Sequence, residues 1–321
     1  MRMLVLGGSV FVGRHLVEEL LRRSHAVTVL NRGLSPADHL AAVQRLTCDR
    51  KDHDAVRSAL DGAHFDAVFD VSAYAPEDVA IMVEVLRGRV EHYVFTSTVA
   101  VYSRSEYAPI DEEFDLDRRP QANPYTAGKV RCEDVLMAAH RDHGFPVTII
   151  RPSFVYGPHN PLTMREFSFF LRLQQGRKII LPGNGSVLFQ NGHVDDLARA
   201  FASVPGKREA IGQAYNFAAE KAVTALGYVN VLGRIVGREP DILFVDLERM
   251  RALKTPAWPY VWREGQVFTI EKAKRDLGWE PSFDLETGHR QTYDWFQREG
   301  LAGMPQYDFA AEEQALAELG S

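Results

Sequence analysis

The sequence predicts an α/β protein, a doubly wound parallel sheet with a smaller α/β domain on its C-terminal side. Three observations predict it. Short apolar runs alternate with helix-period stretches through the first half. A glycine-rich turn, Gly7-Gly8-Ser9-Val10-Phe11-Val12-Gly13, joins the first apolar run to the first helical stretch. Pro and Gly then punctuate 156–192, and the regular alternation stops there.

The elements follow in order. Met3–Leu6 reads as a buried strand. Arg14–Arg23 reads as a helix, because Leu16, Leu20 and Val17, Leu21 repeat at i, i+4. Ala26–Leu30 is rich in β-branched residues and reads as the second strand, with Val43–Cys48 as a third. Ala67–Val71 and Tyr93–Thr96 are further strands, separated by a helical Glu77–Leu86. Tyr125–His140 reads as a long helix and Val147–Ile150 as the next strand. Parallel strands need crossover connections, which places helices on both sheet faces. Beyond this, Asp195–Ala202 and Leu226–Val236 look helical and Asp241–Val245 extended. Ile270–Leu277 and Leu285–Arg298 close the chain as helices, and a peripheral helix or frayed end follows Gly303. The chain is expected to return to the sheet near His193–Ala202 and Tyr215–Phe217. The dinucleotide domain is therefore drawn as 1–157 with 188–222, and the substrate domain as 158–187 with 223–321.

Composition narrows the function classes. Of 321 residues, 45% are apolar and 25% charged, which excludes a disordered or fibrous chain. The net charge of −6 gives no general attraction to nucleic acid or an anionic membrane. No apolar run is long enough for a membrane helix. Two cysteines, Cys48 and Cys132, are too few for a disulfide framework or zinc cluster, so a reduced, cytoplasmic setting is expected. Eleven histidines show no metal-ligand spacing, and no metal is expected.

The glycine turn carries the first chemical signal. A tight strand-to-helix turn needs residues without a Cβ, and the helix N-terminus then offers free N–H groups to a pyrophosphate. Gly7, Ser9, Val10, Phe11, Val12 and Gly13 are the candidate cradle for a dinucleotide, and the fold is of the Rossmann type. Val10 stands where the usual spacing has its middle glycine. After the second strand, Asn31-Arg32-Gly33 replaces the acidic residue that would accept from a ribose 2′-OH. Asn31 bonds without charge and Arg32 can pair with a 2′-phosphate, so NADP is preferred to NAD. Asp49, in Cys48-Asp49-Arg50 after the third strand, is placed to accept from an adenine amino group, with Arg50 beside it.

The second signal is Tyr125-Thr126-Ala127-Gly128-Lys129, which puts Tyr125 and Lys129 on one helical face. A tyrosine with pKa of about 10 needs nearby positive charge to act as a base at neutral pH. Phe95-Thr96-Ser97-Thr98 ends a central strand, where hydroxyls face a ligand crevice. Thr98 is the candidate to hold a substrate oxygen against Tyr125, with Ser97 the alternative if the register differs by one.

These pieces, with Arg151-Pro152-Ser153-Phe154-Val155-Tyr156-Gly157-Pro158, His193-Val194-Asp195-Asp196, Asn216-Phe217 and Lys272 to Pro281, resemble the extended short-chain dehydrogenase/reductases of the NAD-dependent epimerase/dehydratase kind. The resemblance runs from Leu4 to about Arg298. It implies that Tyr125 is the acid/base, that Lys129 binds the nicotinamide ribose, and that Thr98 orients the substrate oxygen. It also implies that Val71, Ser72 and Ala73 line the cofactor and that Arg151 and Pro152 through Val155 pass under the nicotinamide. Tyr74, His159 and Gln190 are substrate-side candidates. The implied activity is that of an epimerase or reductase acting by hydride transfer at a secondary alcohol of a sugar, with the substrate, a sugar or nucleotide-sugar, between the domains. A homodimer is common in such a family.

Three departures qualify the reading. Val99 and Ala100 follow Thr98 where a 4,6-dehydratase usually has an acidic pair, which disfavours 4,6-elimination. Phe189-Gln190-Asn191-Gly192 lacks the usual arginine before His193, and Arg263 is the nearest candidate for a later diphosphate-binding arginine. With Asn31-Arg32-Gly33 and Gln190 to Val194, these departures resemble a branch that includes plant chloroplast stem-loop-binding proteins. An RNA-interaction protein is therefore the alternative function.

Overall fold

The computed structural model describes residues 1–35, 38–119, 122–253, 265–300 and 307–320. The candidate Arg263 lies outside the described residues. The first part of the chain forms β1 (Arg2–Leu6), α1 (Phe11–Arg22), β2 (Ala26–Asn31), β3 (Gln44–Thr47), α2 (His53–Ala59), β4 (Ala67–Asp70), α3 (Pro76–Leu86), β5 (Tyr93–Thr96), α4 (Pro124–His143) and β6 (Val147–Pro152). There follow β7 (Phe154–Tyr156), α5 (Glu166–Gln175), β8 (Ile179–Pro182), β9 (Leu188–Phe189), β10 (Asn191–His193), α6 (Val194–Ser203), β11 (Gln213–Phe217) and β12 (Val223–Thr224). The chain ends through α7 (Ala225–Val236), β13 (Ile242–Val245), α8 (Leu247–Ala252), α9 (Glu271–Leu277), α10 (Leu285–Glu299) and α11 (Ala310–Leu319).

The chain divides into two compact units. The first comprises Met1–Val155, Val194–Ala218 and Phe268–Pro281; the second comprises Tyr156–His193, Ala219–Val267 and Ser282–Ser321. These borders differ from the drawn ones at four places. Residues 156–157, 188–193 and 219–222 fall in the second unit. Residues 268–281 fall in the first, because Ala273, Leu277 and Trp279 are buried in its core and the Trp279 indole donates to the Asp196 carbonyl at 3.0 Å.

The first unit is a seven-stranded parallel sheet in the order β3-β2-β1-β4-β5-β6-β11. Alternation within each strand feeds two separate cores. In β1, Met3 and Val5 pack with Leu16, Leu20 and Phe201 of α1 and α6, while Leu4 and Leu6 pack with Val79, Met82 and Leu136 of α3 and α4. Burial on both faces explains why these strands read as continuous apolar runs. Strand order reverses between β1 and β4, and the carboxyl ends there form the crevice where such sheets take ligands.

The second unit is built on an aromatic core in which Phe167, Phe170, Tyr228, Trp295 and Phe296 bring together α5, α7 and α10. β8 pairs parallel with β13, and β9 antiparallel with β12. The end of the chain is the helix α11, whose Glu312 accepts from the buried Arg172 of α5 at 2.8 Å. No helix among the described residues is long and apolar enough to cross a membrane.

Burial also sets a pH dependence. His92 is 2% exposed, and its ring nitrogen Nε2 lies 2.7 Å from the Thr148 hydroxyl. That hydroxyl donates to the Ala210 carbonyl, so it accepts from His92, which fixes a neutral Nε2–H tautomer. Burial pushes the pKa of His92 down to about 4, and that of His289 in the second unit to about 3. The unfolded chain takes up these protons near pH 6.5 and the folded chain does not. The stabilisation is complete above about pH 6.5 and is lost as pH falls toward 4, by about 3 kcal/mol for a shift of His92's size. Thermal melts between pH 7 and pH 4 should therefore show a smaller slope for His92→Gln than for the natural chain. Equal slopes would refute this account.

Candidate functional site

The turn after β1 is shaped by what a Cβ would strike. Gly7 has φ +95°, and a Cβ there would stand 2.8 Å from the Ser72 Cβ at the end of β4. At Gly13 it would stand 2.2 Å from the Gly7 carbonyl oxygen, so α1 rests directly on the turn. Val10 is the N-cap of α1, in extended backbone with its side chain 45% exposed. It lines the crevice without entering the helix–strand contact. Phe11, the first helical residue, takes φ +42°, a strained left-handed conformation at the point where the first amides of a helix have no internal partner. Val12 packs against the first core. Such a cradle fits a pyrophosphate.

A cavity of about 540 Å³ opens beside this turn. Ser9, Val10, Asn31, Arg32, Asp49, Arg50, Ser72 and Tyr74 all line it. The Asn31 amide donates to the Ser9 hydroxyl at 2.6 Å and its carbonyl accepts from Gly33 N at 2.9 Å. Asn31 therefore braces the end of β2 against the glycine turn. Arg32 is exposed and has no ion-pair partner among the described residues. One Asp49 oxygen accepts from Lys51 N at 3.0 Å, which closes a local turn.

Arg50 lines the same cavity as Asp49, and its guanidinium is engaged within the protein. It makes a bidentate pair with the fully buried Asp70, at 2.7 and 2.8 Å, and donates to the Ser72 hydroxyl and the Asp78 carbonyl, each at 2.8 Å. Asp70 also accepts from the Tyr93 hydroxyl at 2.6 Å. Burial opposes both charges; for Asp70 the Arg50 guanidinium overcomes it and holds the carboxyl below its usual range. This network was not expected from the sequence. The available signal was Asp70 itself, a carboxylate closing an otherwise apolar strand, which demands a buried cation.

The tyrosine and lysine sit on α4. Asn123 caps the helix by accepting from Tyr125 N at 2.9 Å, and Pro124 occupies the first turn. A Cβ at Gly128 would stand 2.3 Å from the Tyr74 carbonyl oxygen, so only glycine lets α4 lie against the 73–74 segment. That approach brings the Lys129 ammonium to the carbonyls of Ala73 and Thr96, each at 2.7 Å. Lys129 is 2% exposed, 4.6 Å from the centre of the Tyr74 ring and 6.0 Å from that of Tyr125. Burial pushes its pKa down to about 8, against the opposing charge of Asp70, so it remains mainly cationic at pH 7. Tyr125 is 46% exposed. The arrangement is a buried cation held under an accessible phenol.

The structure separates the two candidate hydroxyls. Thr98 accepts from Ala100 N at 3.2 Å to cap a short turn, and its own proton is not engaged by the described residues. Ser97 is 2% exposed and donates to Glu133, one turn beyond Lys129. Glu133 also holds Arg151 at 2.7 Å, and Arg151 reaches the Tyr102 hydroxyl at 2.9 Å. Ser97 thus belongs to a buried polar network and is not placed to meet a substrate.

The remaining candidates fall as follows. Val71 packs against the core, Ser72 accepts from Arg50, and the Ala73 carbonyl holds Lys129. Pro152 ends β6 opposite Phe217, and Val155 packs against the first core. His159 and Gln190 belong to the second unit. His159 takes φ +62° with its ring 4.8 Å from Trp295, while Gln190 is 3% exposed and donates to the Ala219 carbonyl at 2.5 Å.

Comparison with known proteins adds four findings. Residues 3–218 match the model of the NAD dependent epimerase/dehydratase family. The chain is 34% identical over 308 residues to the chloroplast stem-loop binding protein of 41 kDa b from Arabidopsis thaliana, covering 91% of this chain and 78% of that protein. Among solved structures it is similar to UDP-glucose 4-epimerase of Thermotoga maritima, with UDP-glucose, at a TM-score of 0.78, 21% identity and coverage of 93% and 99%. It is also similar to UDP-glucuronic acid 4-epimerase of Bacillus cereus, in complex with UDP-glucuronic acid and NAD, at a TM-score of 0.76, 19% identity and coverage of 93% and 100%.

Proposed function

The chain belongs to the NAD-dependent epimerase/dehydratase family, and from that premise we propose that it acts by hydride transfer at a secondary alcohol of a nucleotide-sugar, either removing and returning the hydride as an epimerase or delivering it to the corresponding ketone as a reductase. The observation that carries the proposal is the Lys129 ammonium. It is fixed by two backbone carbonyls beside the Tyr125 ring, with one of its three N–H donors not used by the described residues. A dinucleotide, when bound, supplies the hydride acceptor and donor. The chain's own residues do the rest. The glycine turn and the N-terminus of α1 hold a pyrophosphate. The remaining Lys129 N–H is available to a ribose hydroxyl, and the ammonium favours the ionised form of Tyr125. Tyr125 takes the proton from the substrate hydroxyl and returns it, while the Thr98 hydroxyl donates to the same oxygen. Neither Val99 nor Ala100 offers a proton, which favours epimerisation or reduction over 4,6-elimination.

Incubation with UDP- and dTDP-sugars, followed by absorbance at 340 nm and NMR of the products, tests this reading. A new epimer or a dinucleotide-dependent reduction is expected, and inertness toward the whole panel would overturn it. Native mass spectrometry separates the two outcomes. A retained dinucleotide favours an epimerase, and an empty protein that takes up NADPH favours a reductase.

We also propose NADP over NAD. Asn31 offers no carboxylate to a 2′-OH, and Arg32 lines the cavity with no ion-pair partner among the described residues. Arg32→Met should raise the Kd for NADP about tenfold and leave that for NAD nearly unchanged, as read by calorimetry. Tighter binding of NAD than NADP by the natural chain would sink the preference. RNA binding is the second reading, favoured by the 34% identity to a stem-loop binding protein. Salt-sensitive retention of a stem-loop in a filter assay is its test.

A further inference from the structure

Lys129 is a buried cation without a carboxylate of its own. It is 2% exposed and has no ion-pair partner among the described residues. Asp70 attracts it from the end of β4, but Asp70 is already held by Arg50 at 2.7 and 2.8 Å and by the Tyr93 hydroxyl at 2.6 Å. Arg50 itself adds a like charge. On α4, Glu133 is held by Arg151 at 2.7 Å, and burial pushes the Cys132 thiol up to about 12. A buried ammonium must therefore be compensated by other groups. The Ala73 and Thr96 carbonyls, each at 2.7 Å, supply part of this. Aromatic rings supply more. The nitrogen lies 4.6 Å from the centre of the Tyr74 ring, 5.1 Å from that of Phe95 and 6.0 Å from that of Tyr125. Attraction between a cation and a ring face acts at such distances and grows as water is excluded.

The fold fixes the backbone at Tyr74 from two sides. Its N–H donates to Asp78, in the first turn of α3, at 2.9 Å. Its carbonyl oxygen lies against α4, where a Cβ at Gly128 would stand 2.3 Å away. We propose that Tyr74 is a positioning residue for Lys129, its ring completing with Phe95 an aromatic enclosure that holds the ammonium in place and charged beside Tyr125. The bearing of this on the reaction rests on the hydride-transfer reading above; the enclosure itself does not. The ring face is the working part of Tyr74, and its hydroxyl is not. An aliphatic side chain of similar bulk would fill the space without stabilising the charge.

The test reads Lys129 directly and needs no substrate. Phe95 is fully buried, whereas Tyr74 is 56% exposed, so Tyr74 can be replaced without opening the core. Tyr74→Phe keeps the ring and loses the hydroxyl; Tyr74→Leu removes the ring. Protein carrying isotope-labelled lysine is titrated by NMR, with the Lys129 signal identified by its loss in Lys129→Arg, and thermal melts check each fold. In the natural chain burial lowers the pKa of Lys129 to about 8. Removing an attraction made only by the ammonium disfavours the charged form and lowers the pKa further. Tyr74→Leu should therefore titrate about one pH unit below the natural chain, and Tyr74→Phe together with it. With an accepted sugar, the alkaline limb of kcat should move down in Tyr74→Leu by the same amount. An unchanged or raised titration in folded Tyr74→Leu overturns the enclosure. An equal fall in Tyr74→Phe overturns it too, by assigning the effect to the hydroxyl. A lowered titration with an unmoved limb overturns the bearing on the reaction. Inertness toward every sugar overturns the hydride-transfer reading while the titration still decides the enclosure, so the two failures are told apart.

Discussion

Tyr125→Phe should slow hydride transfer by at least a hundredfold while leaving dinucleotide affinity within about twofold, because general acid–base groups contribute about 10²–10⁴ in rate. The change removes one oxygen from a side chain that is 46% exposed, and the helix cap that holds the residue is a backbone bond to Asn123. Folding and cofactor binding therefore have little reason to change. Single-turnover absorbance at 340 nm with the accepted sugar, set beside calorimetric Kd values, separates the two effects. Full activity in the variant would remove Tyr125 from the mechanism. Lys129→Met is the companion test and should differ in kind. It deletes a buried cation that ties Ala73 and Thr96 to α4, so rate, dinucleotide affinity and thermal stability should all fall.

The second large effect is expected at Gly13→Ala. One methyl group would be placed 2.2 Å from the Gly7 carbonyl oxygen, and backbone on both sides leaves nothing flexible to give way. The turn and α1 must separate, at a cost of about 2–3 kcal/mol for overpacking of this kind. The cradle is distorted at the same stroke, so dinucleotide binding should fall by at least tenfold even at temperatures where the variant is folded. Thermal melts and titration of NAD and NADP check both parts. Near-natural stability and affinity would mean that the turn shifts freely. Gly62→Ala, at a turn where a Cβ meets nothing within 4 Å, is the control for generic glycine replacement; φ there is +65°, so only local backbone strain is expected.

The first unit was largely legible because its strands are buried on both faces. Tyr93–Thr96 stands out as an apolar run for that reason. The second unit was less so. α5 places Phe167, Phe169, Phe170 and Leu173 in contact with other elements, so no polar face marks its period. In the first unit α2, only seven residues long, went unread for want of length. The site was legible where chemistry depends on local spacing, as with Tyr125 and Lys129 one turn apart. It was not legible where a partner arrives from afar. Arg50 meets Asp70 across 20 residues, and Ser97 meets Glu133 across 36. Those contacts tie one candidate's guanidinium to a buried carboxylate and withdraw the other into the interior. The border at 268–281 escaped notice for the same reason, since helical spacing says nothing about which sheet a helix covers.

That border has a consequence for biosynthesis. The family match ends at residue 218, yet the first unit closes its core only with Ala273, Leu277 and Trp279. A ribosome making this chain must complete most of the second unit before the last wall of the first leaves the exit tunnel. The dinucleotide fold is therefore finished late, and a fragment cut after residue 218 should emerge with an apolar face that has lost its cover.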